Sequence, residues 1–231
     1  MKRKALLIGN TSGLPGVKHD LERFSRFLQS NRGGAWRPGE IVVMVRPSLA
    51  DLKRTITQTK LSQPDYVVVM FSGHGGYRRS TQLEINRSGD LIDERELQEL
   101  APRQLNIYDC CRDLMTETVQ KSMEAAALAL DSASGVRQKY DDRIMQAAEQ
   151  QALLYSCRVG ESSIDTGEGA LYLGELLASA RTVSYANPIL TVGEAHEYAM
   201  DQLEKKQAKQ HPDSRLDKHL TARQLVFAMN P

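Results

Sequence analysis

The chain has no long apolar run, no surplus of charge and no even set of cysteines, and each absence narrows what it can be. No stretch approaches the ~20 apolar residues of a membrane span, and Met1-Lys2-Arg3-Lys4-Ala5 does not open into a secretory leader. With 30 basic against 29 acidic residues the net charge is +1, so no overall field draws in nucleic acid or an anionic membrane, and neither is expected as a partner. An odd three cysteines without a leader read as free thiols in a reducing, cytoplasmic setting. Internal repeats and low-complexity tracts are missing. Gly9 to Gly16 has neither the Walker nor the Gly-x-Gly-x-x-Gly spacing that cradles phosphate.

What is present is a chain of 231 residues, 41% hydrophobic, long enough to bury one good core and without a break into independent domains. Strand-like and helix-like segments alternate over short connections, the pattern of an α/β sheet covered on both faces. Six strands are predicted: Lys4 to Ile8, Ile41 to Val45, Tyr66 to Phe71, Leu105 to Asp109, Ala152 to Cys157 and Thr221 to Phe227. Helical stripes follow the first strand (Leu21, Phe24, Phe27, Leu28) and the second (Leu49, Leu52, Ile56, with Ser48 as N-cap). Further helices are predicted over Asp93 to Leu100, Ala170 to Ala180 and Val192 to Lys206, with a small hairpin from Leu83 around Arg87-Ser88-Gly89-Asp90.

Two strand ends carry the chemistry. The third strand runs into Ser72-Gly73-His74-Gly75-Gly76 and the fourth into Asp109-Cys110-Cys111-Arg112. Ligand crevices of open parallel sheets lie outside the carboxyl ends of the strands, which would set an imidazole beside a thiol. A cysteine becomes a competent nucleophile when a neighbouring base or imidazolium favours the thiolate. Strand alternation puts Asp109 and Cys111 on one face and turns Cys110 to the covering helices, so Cys111 is the expected nucleophile and Cys110 a packed small side chain. Cys157 reads as an ordinary buried thiol. The glycines around His74 allow a sharp turn and close approach of a substrate backbone. His19, His196, His211 and His219 lack such a setting and are expected at the surface.

In combination these motifs resemble those of the caspase-like cysteine peptidases of family C14, especially metacaspases and their bacterial relatives, over Lys4 to Phe227. His74 lies 37 positions before Cys111, shorter than the ~50 of caspases. The resemblance implies a caspase-like fold with a six-stranded, mostly parallel sheet between helices. It implies a dyad with His74 as base and Cys111 as nucleophile, the imidazole steadied by a backbone partner. The backbone N–H groups of Gly75 and Cys111 would stabilise the oxyanion. A carboxylate two residues before the nucleophile, on its face, would line the pocket for the residue preceding the scissile bond and select Arg or Lys, and Asp109 is the candidate. Metacaspases use a second aspartate after the first strand; Gly16-Val17-Lys18-His19-Asp20 occupies that place, making Asp20 the second pocket carboxylate and Ser72 a third lining group. Calcium is argued against, because the acidic insertion that binds it in many metacaspases is reduced to Asp90, Asp93 and Glu94, and no cofactor is expected.

Between Arg112 and Gln151 about 40 residues separate two adjacent strands, far beyond a usual connection. Met115 to Leu130 is alanine-rich and helix-prone, and Asp131 to Lys139 reads as an exposed, basic linker. The resemblance places the junction of a large portion (about 1–131) and a small one (about 151–231) here, across a flexible linker (about 132–150). A zymogen cut within Val136 to Arg143, at Arg137, Lys139 or Arg143, by the protein itself or an upstream protease, is expected. The expected partners are protein or peptide substrates with Arg or Lys before the cut bond, in a bacterial stress, cell-death or antiviral pathway. Catalytically silent homologues that act as adaptors share the fold, but His74, Cys111 and Asp109 are all intact.

Overall fold

The computed structural model describes residues 1–115 and 134–231. Its strands are β1 (Arg3–Gly9), β2 (Ile41–Val45), β3 (Tyr66–Ser72), β4 (Gly75–Tyr77), β5 (Thr81–Glu84), β6 (Leu91–Asp93), β7 (Arg103–Asp109), β8 (Gln150–Tyr155), β9 (Ile189–Thr191), β10 (Asp213–Arg215) and β11 (Val226–Met229). Its helices are α1 (Gly16–Gln29), α2 (Leu49–Leu61), α3 (Ser134–Gln146), α4 (Leu171–Ser179) and α5 (Val192–Lys205).

Six strands form one sheet in the order β10-β8-β7-β3-β1-β2, parallel except for β10, which runs against β8. Strands buried on both faces read as continuous apolar runs, and all seven residues of β3 are buried. Alternation along the strands sorts them into two cores. Ala5, Leu7, Val68, Met70, Leu105 and Ile107 face α1, α3, α4 and α5. Leu6, Ile8, Val67, Val69 and Phe71 face α2 and the small β4-β5-β6 sheet. Each of the larger of these, Val, Leu, Ile, Met or Phe, contributes roughly 1.5–3 kcal/mol by leaving water. Ser48 caps α2 as expected, its hydroxyl accepting from the Asp51 amide at 3.1 Å.

Three expectations are corrected. The sixth strand is the short polar segment β10, whereas Thr221 begins a 3₁₀ turn and the chain becomes extended only at Val226, where β11 pairs with β9 in a separate ladder. Asp93 to Leu100 holds one 3₁₀ turn, Glu94–Leu97, instead of a longer helix. The flexible linker is not a loop over its described part: residues 134–146 are α3, and β8 starts at Gln150. That helix is held by contacts distant in sequence. Tyr140 donates to the Val226 carbonyl at 3.1 Å, and Asp141 accepts from the buried Arg3 guanidinium at 2.8 Å. The helix expected over Met115 to Leu130 lies, beyond Met115, outside the described residues, as do residues 131–133 of the linker.

Candidate active site

The register of the central strands brings their carboxyl ends level: Gly9 pairs with Ser72, and Ser72 with Asp109. His74 stands two residues past Ser72 and Cys111 two past Asp109, at equivalent positions beyond adjacent strands. The loop from Gly73 to Gly76 is stitched onto the end of β7, with the Gly73 amide donating to the Asp109 carbonyl at 3.1 Å. Glycine is required here by close approach. A Cβ on Gly75 would lie 2.7 Å from Cys110 Sγ and 2.9 Å from the Cys111 carbonyl oxygen. Gly73 has φ +155°, a left-handed value that disfavours side chains.

The ring of His74 is fixed by the loop after β1, its Nε2 lying 2.5 Å from the Ser12 carbonyl oxygen. A carbonyl only accepts, so in the neutral ring Nε2 carries the hydrogen and Nδ1 keeps the lone pair of a base. Cys111 is half-buried and free. Burial pushes its thiol above the usual range, against lowering hydrogen bonds with the Ser163 backbone and the Ser162 side chain, while the nearby Asp113 and Asp109 carboxylates add to the rise. The Cys111 Sγ donates to the Ser163 carbonyl at 3.9 Å. Cys110 packs in the second core, 1% exposed, with burial holding its thiol far above the ordinary value. Cys157 is fully buried and pushed up to about 12, first by burial; its Sγ donates to the Cys110 carbonyl at 3.3 Å and the Glu161 carbonyl at 3.2 Å.

Below this level Asp20, Ser72 and Asp109 come together, 2%, 1% and 3% exposed. Ser72 Oγ donates to Asp20 Oδ2 at 2.7 Å, and the Ala170 amide donates to Asp20 Oδ1 at 2.9 Å. Asp109 Oδ1 accepts from Ser163 Oγ at 2.6 Å and Oδ2 from the Leu173 amide at 3.1 Å. The amino end of α4 thus serves both carboxylates. Burial, then the negative charge of Asp20, push Asp109 up to about 7 against the Ser163, Ser156 and Leu173 donors. Burial likewise raises Asp20 despite the bonds from Ser72 and Ala170.

Arg112, next to Cys111, is 1% exposed and anchors the turn: its guanidinium donates to Thr81 Oγ1 at 3.2 Å and to the Cys157 carbonyl and Asp213 Oδ2 at 3.1 Å, over the Tyr155 ring at 4.0 Å. The processing candidates lie on α3. Arg137 pairs with Glu40, with one N–O separation of 2.7 Å, Arg143 is buried and donates to the Thr221 carbonyl at 3.0 Å, and Lys139 is exposed.

Three features escaped the sequence reading. Ser163 sits in a polar, aperiodic stretch that gives no signal. The donors from α4 are backbone groups, invisible in composition. His196 is buried, not at the surface; its Nδ1 lies 2.8 Å from Tyr172 Oη, and burial pushes it down to about 4. Its spacing from Val192, Ala195, Ala199 and Leu203 on the buried face of α5 carried that information.

A cavity of about 890 Å³ at the opposite, amino end of the sheet, lined by Lys60, Asp65, Glu99 and Glu149 among others, holds no thiol or imidazole and lies away from this chemistry. Among the described residues no group of three or more His, Cys, Asp or Glu side chains is arranged to hold a metal ion, and no helix is long and apolar enough to cross a membrane.

The family model of the peptidase C14 caspase domain matches residues 2–221. Among solved structures, a Geobacter sulfurreducens protein superposes with TM-score 0.65 at 14% identity over 97% of each chain. Caspase-1 from Spodoptera frugiperda superposes with TM-score 0.62 at 14% identity, over 95% of this chain and 92% of that one. At that identity the likeness speaks for the fold. No curated protein sequence matches the chain.

Proposed function

The chain belongs to the C14 family of caspase-domain peptidases, and on that premise we propose that it is a cysteine endopeptidase cutting after Arg or Lys, with Cys111 as nucleophile and His74 as general base. The observation that carries this reading is the buried group of Asp20 from α1, Ser72 from β3 and Asp109 from β7, two residues before Cys111. The influences on Asp109 are burial, a second negative charge and neutral donors. A guanidinium or ammonium arriving there would meet two carboxylates held at a cost that its own charge offsets. An incoming aspartate would add a third negative charge.

In the reaction, His74 Nδ1 takes the Cys111 proton as Sγ attacks the carbonyl after Arg or Lys. The tetrahedral oxyanion accepts from the Gly75 and Cys111 amides, and the imidazolium returns its proton to the departing amine. Water, deprotonated by His74, then attacks the thioester; the acid leaves and the thiol is restored. The raised thiol pKa makes this base necessary, since little thiolate stands ready.

Processing at Arg137, Lys139 or Arg143, by the protein itself or an upstream protease, belongs to this reading on the condition that α3 opens first. Proteases cut extended, exposed chain, and Arg137 and Arg143 are engaged in the folded helix.

The test is a set of reporter peptides differing only in the residue before the cut. Cleavage after Arg or Lys is expected. Cys111→Ala and His74→Ala should each lower kcat/KM by at least about 10²-fold with the fold intact by circular dichroism. Full activity in either variant, or a preference for Asp, refutes the assignment. An arginyl acyloxymethyl ketone should leave its mass on the Cys111 peptide alone.

A further inference from the structure

One residue bridges the two halves of the site. The hydroxyl of Ser163 donates to Asp109 Oδ1 at 2.6 Å while its own carbonyl accepts from Cys111 Sγ at 3.9 Å. The hydroxyl and the carbonyl belong to one residue of one strap, so a shift of the strap's backbone carries both. The strap that carries Ser163 lies along the turn of the nucleophile. The Arg112 amide donates to the Glu161 carbonyl and the Gly160 amide to the Arg112 carbonyl, both at 2.9 Å, and Ser162 Oγ donates to Asp113 Oδ2 at 2.8 Å. On the far side Gln210, 2% exposed, donates to Ser163 Oγ at 3.3 Å and accepts from the Ile164 amide at 3.1 Å.

A basic side chain reaching Asp109 approaches the oxygen that accepts from the Ser163 hydroxyl, and a sulfur about to attack must turn from the Ser163 carbonyl to that of the substrate. We propose that Ser163 is a specificity-determining residue that couples the two events: a guanidinium or ammonium at Asp109 displaces the Ser163 hydroxyl, the strap shifts, and Cys111 is released for attack. A substrate with a neutral side chain at that place leaves the thiol held. The inference rests on the cationic specificity proposed above and adds a device to it, so that charge selects at the step of thiol release as well as at binding.

The test uses butylguanidinium, which carries the charge but no scissile carbonyl, against the neutral isostere butylurea. The readout is the alkylation rate of Cys111 by iodoacetamide, measured by mass on its peptide, with buried Cys157 as internal control. In the wild type butylguanidinium should accelerate alkylation by about 2- to 10-fold, the weight of one ordinary hydrogen bond, and butylurea should not. Ser163→Ala should show the accelerated rate without ligand and no further response, while Ser163→Thr, which restores a hydroxyl, should recover the wild-type response. Wild-type rate and response in Ser163→Ala overturn the proposal. Calorimetry separates the two levels. If butylguanidinium binds the wild type no better than butylurea, the cationic pocket itself falls and this coupling with it. If it binds preferentially but alkylation is unchanged or slowed, the coupling alone falls.

Discussion

Replacing Asp109 by Asn should stabilise the ligand-free protein in alkali and have little effect in acid. In the folded chain Asp109 is pushed up to about 7 from 3.8, first by burial and then by the charge of Asp20. Between those values the unfolded chain has lost the proton that the folded chain retains. Stability therefore falls as pH rises from about 4 to about 7, and the full penalty stands above that window. A gap of about three pH units at 1.36 kcal/mol each is about 4 kcal/mol. Asparagine keeps the shape: its carbonyl oxygen can accept from the Leu173 amide and its NH₂ can donate to Ser163 Oγ. Loss of the charged acceptor takes back about 1–2 kcal/mol, leaving an expected net gain of about 2–3 kcal/mol at pH 8.5. Urea unfolding of both proteins at pH 4.5, 6, 7.5 and 8.5 reads this directly. A stability difference that does not grow across the window, or a variant weaker than wild type at pH 8.5, refutes the reasoning. The same variant should lose its preference for Arg reporters, separating a carboxylate kept for recognition from one kept for folding.

Two further outcomes are expected. Gly75→Ala places a Cβ 2.7 Å from Cys110 Sγ and 2.9 Å from a backbone oxygen of Cys111, which should cost about 1–3 kcal/mol and lower kcat/KM by about 10²-fold through displacement of the dyad. Gly135→Ala, where the added carbon meets nothing within 4 Å, is the control, and equal activity in the two variants would show that the loop tolerates the shift. Trypsin at low dose should spare Arg137 and Arg143 in the folded protein and cut there only as urea opens α3. Fragments ending at either residue in native buffer would mean that the helix opens by itself.

The parallel strands were legible because a strand buried on both faces has to be apolar throughout, as Tyr66 to Phe71 is. The placing of His74 and Cys111 beyond neighbouring strand ends was legible because the carboxyl ends of strands are where such sheets expose chemistry. Asp20 was readable twice over: besides the resemblance, it shares the stripe of Val17, Leu21 and Phe24, where a carboxylate on a buried face asks for a reason. β10 was not readable. Asp213-Ser214-Arg215 has no apolar signature and is extended because the edge of β8 offers it a ladder. Thr221 to Phe227 misled for the opposite reason, since its apolar end pairs outside the main sheet. The linker looked loose through its serines and charges, yet Arg137, Tyr140 and Asp141 find partners at Glu40, Val226 and Arg3, which no local reading can supply.

The buried guanidinium of Arg3 meets the Gly34 carbonyl at 2.7 Å, the Ala35 carbonyl at 3.0 Å and Asp141 at 2.8 Å, and lies 4.6 Å from the centre of the Trp36 ring. Arg112 makes a matching clasp to Asp213 near the other end of the sheet. β7 and β8 are zipped from Arg103 opposite Gln150 to Tyr108 opposite Tyr155. Mechanically, the segments before residue 116 and after residue 133 are dovetailed at these places and at the buried contacts of Asp20 and Asp109 with Ala170, Ser163 and Leu173. Severing the covalent thread between them would change the number of chain ends while leaving these joints in place.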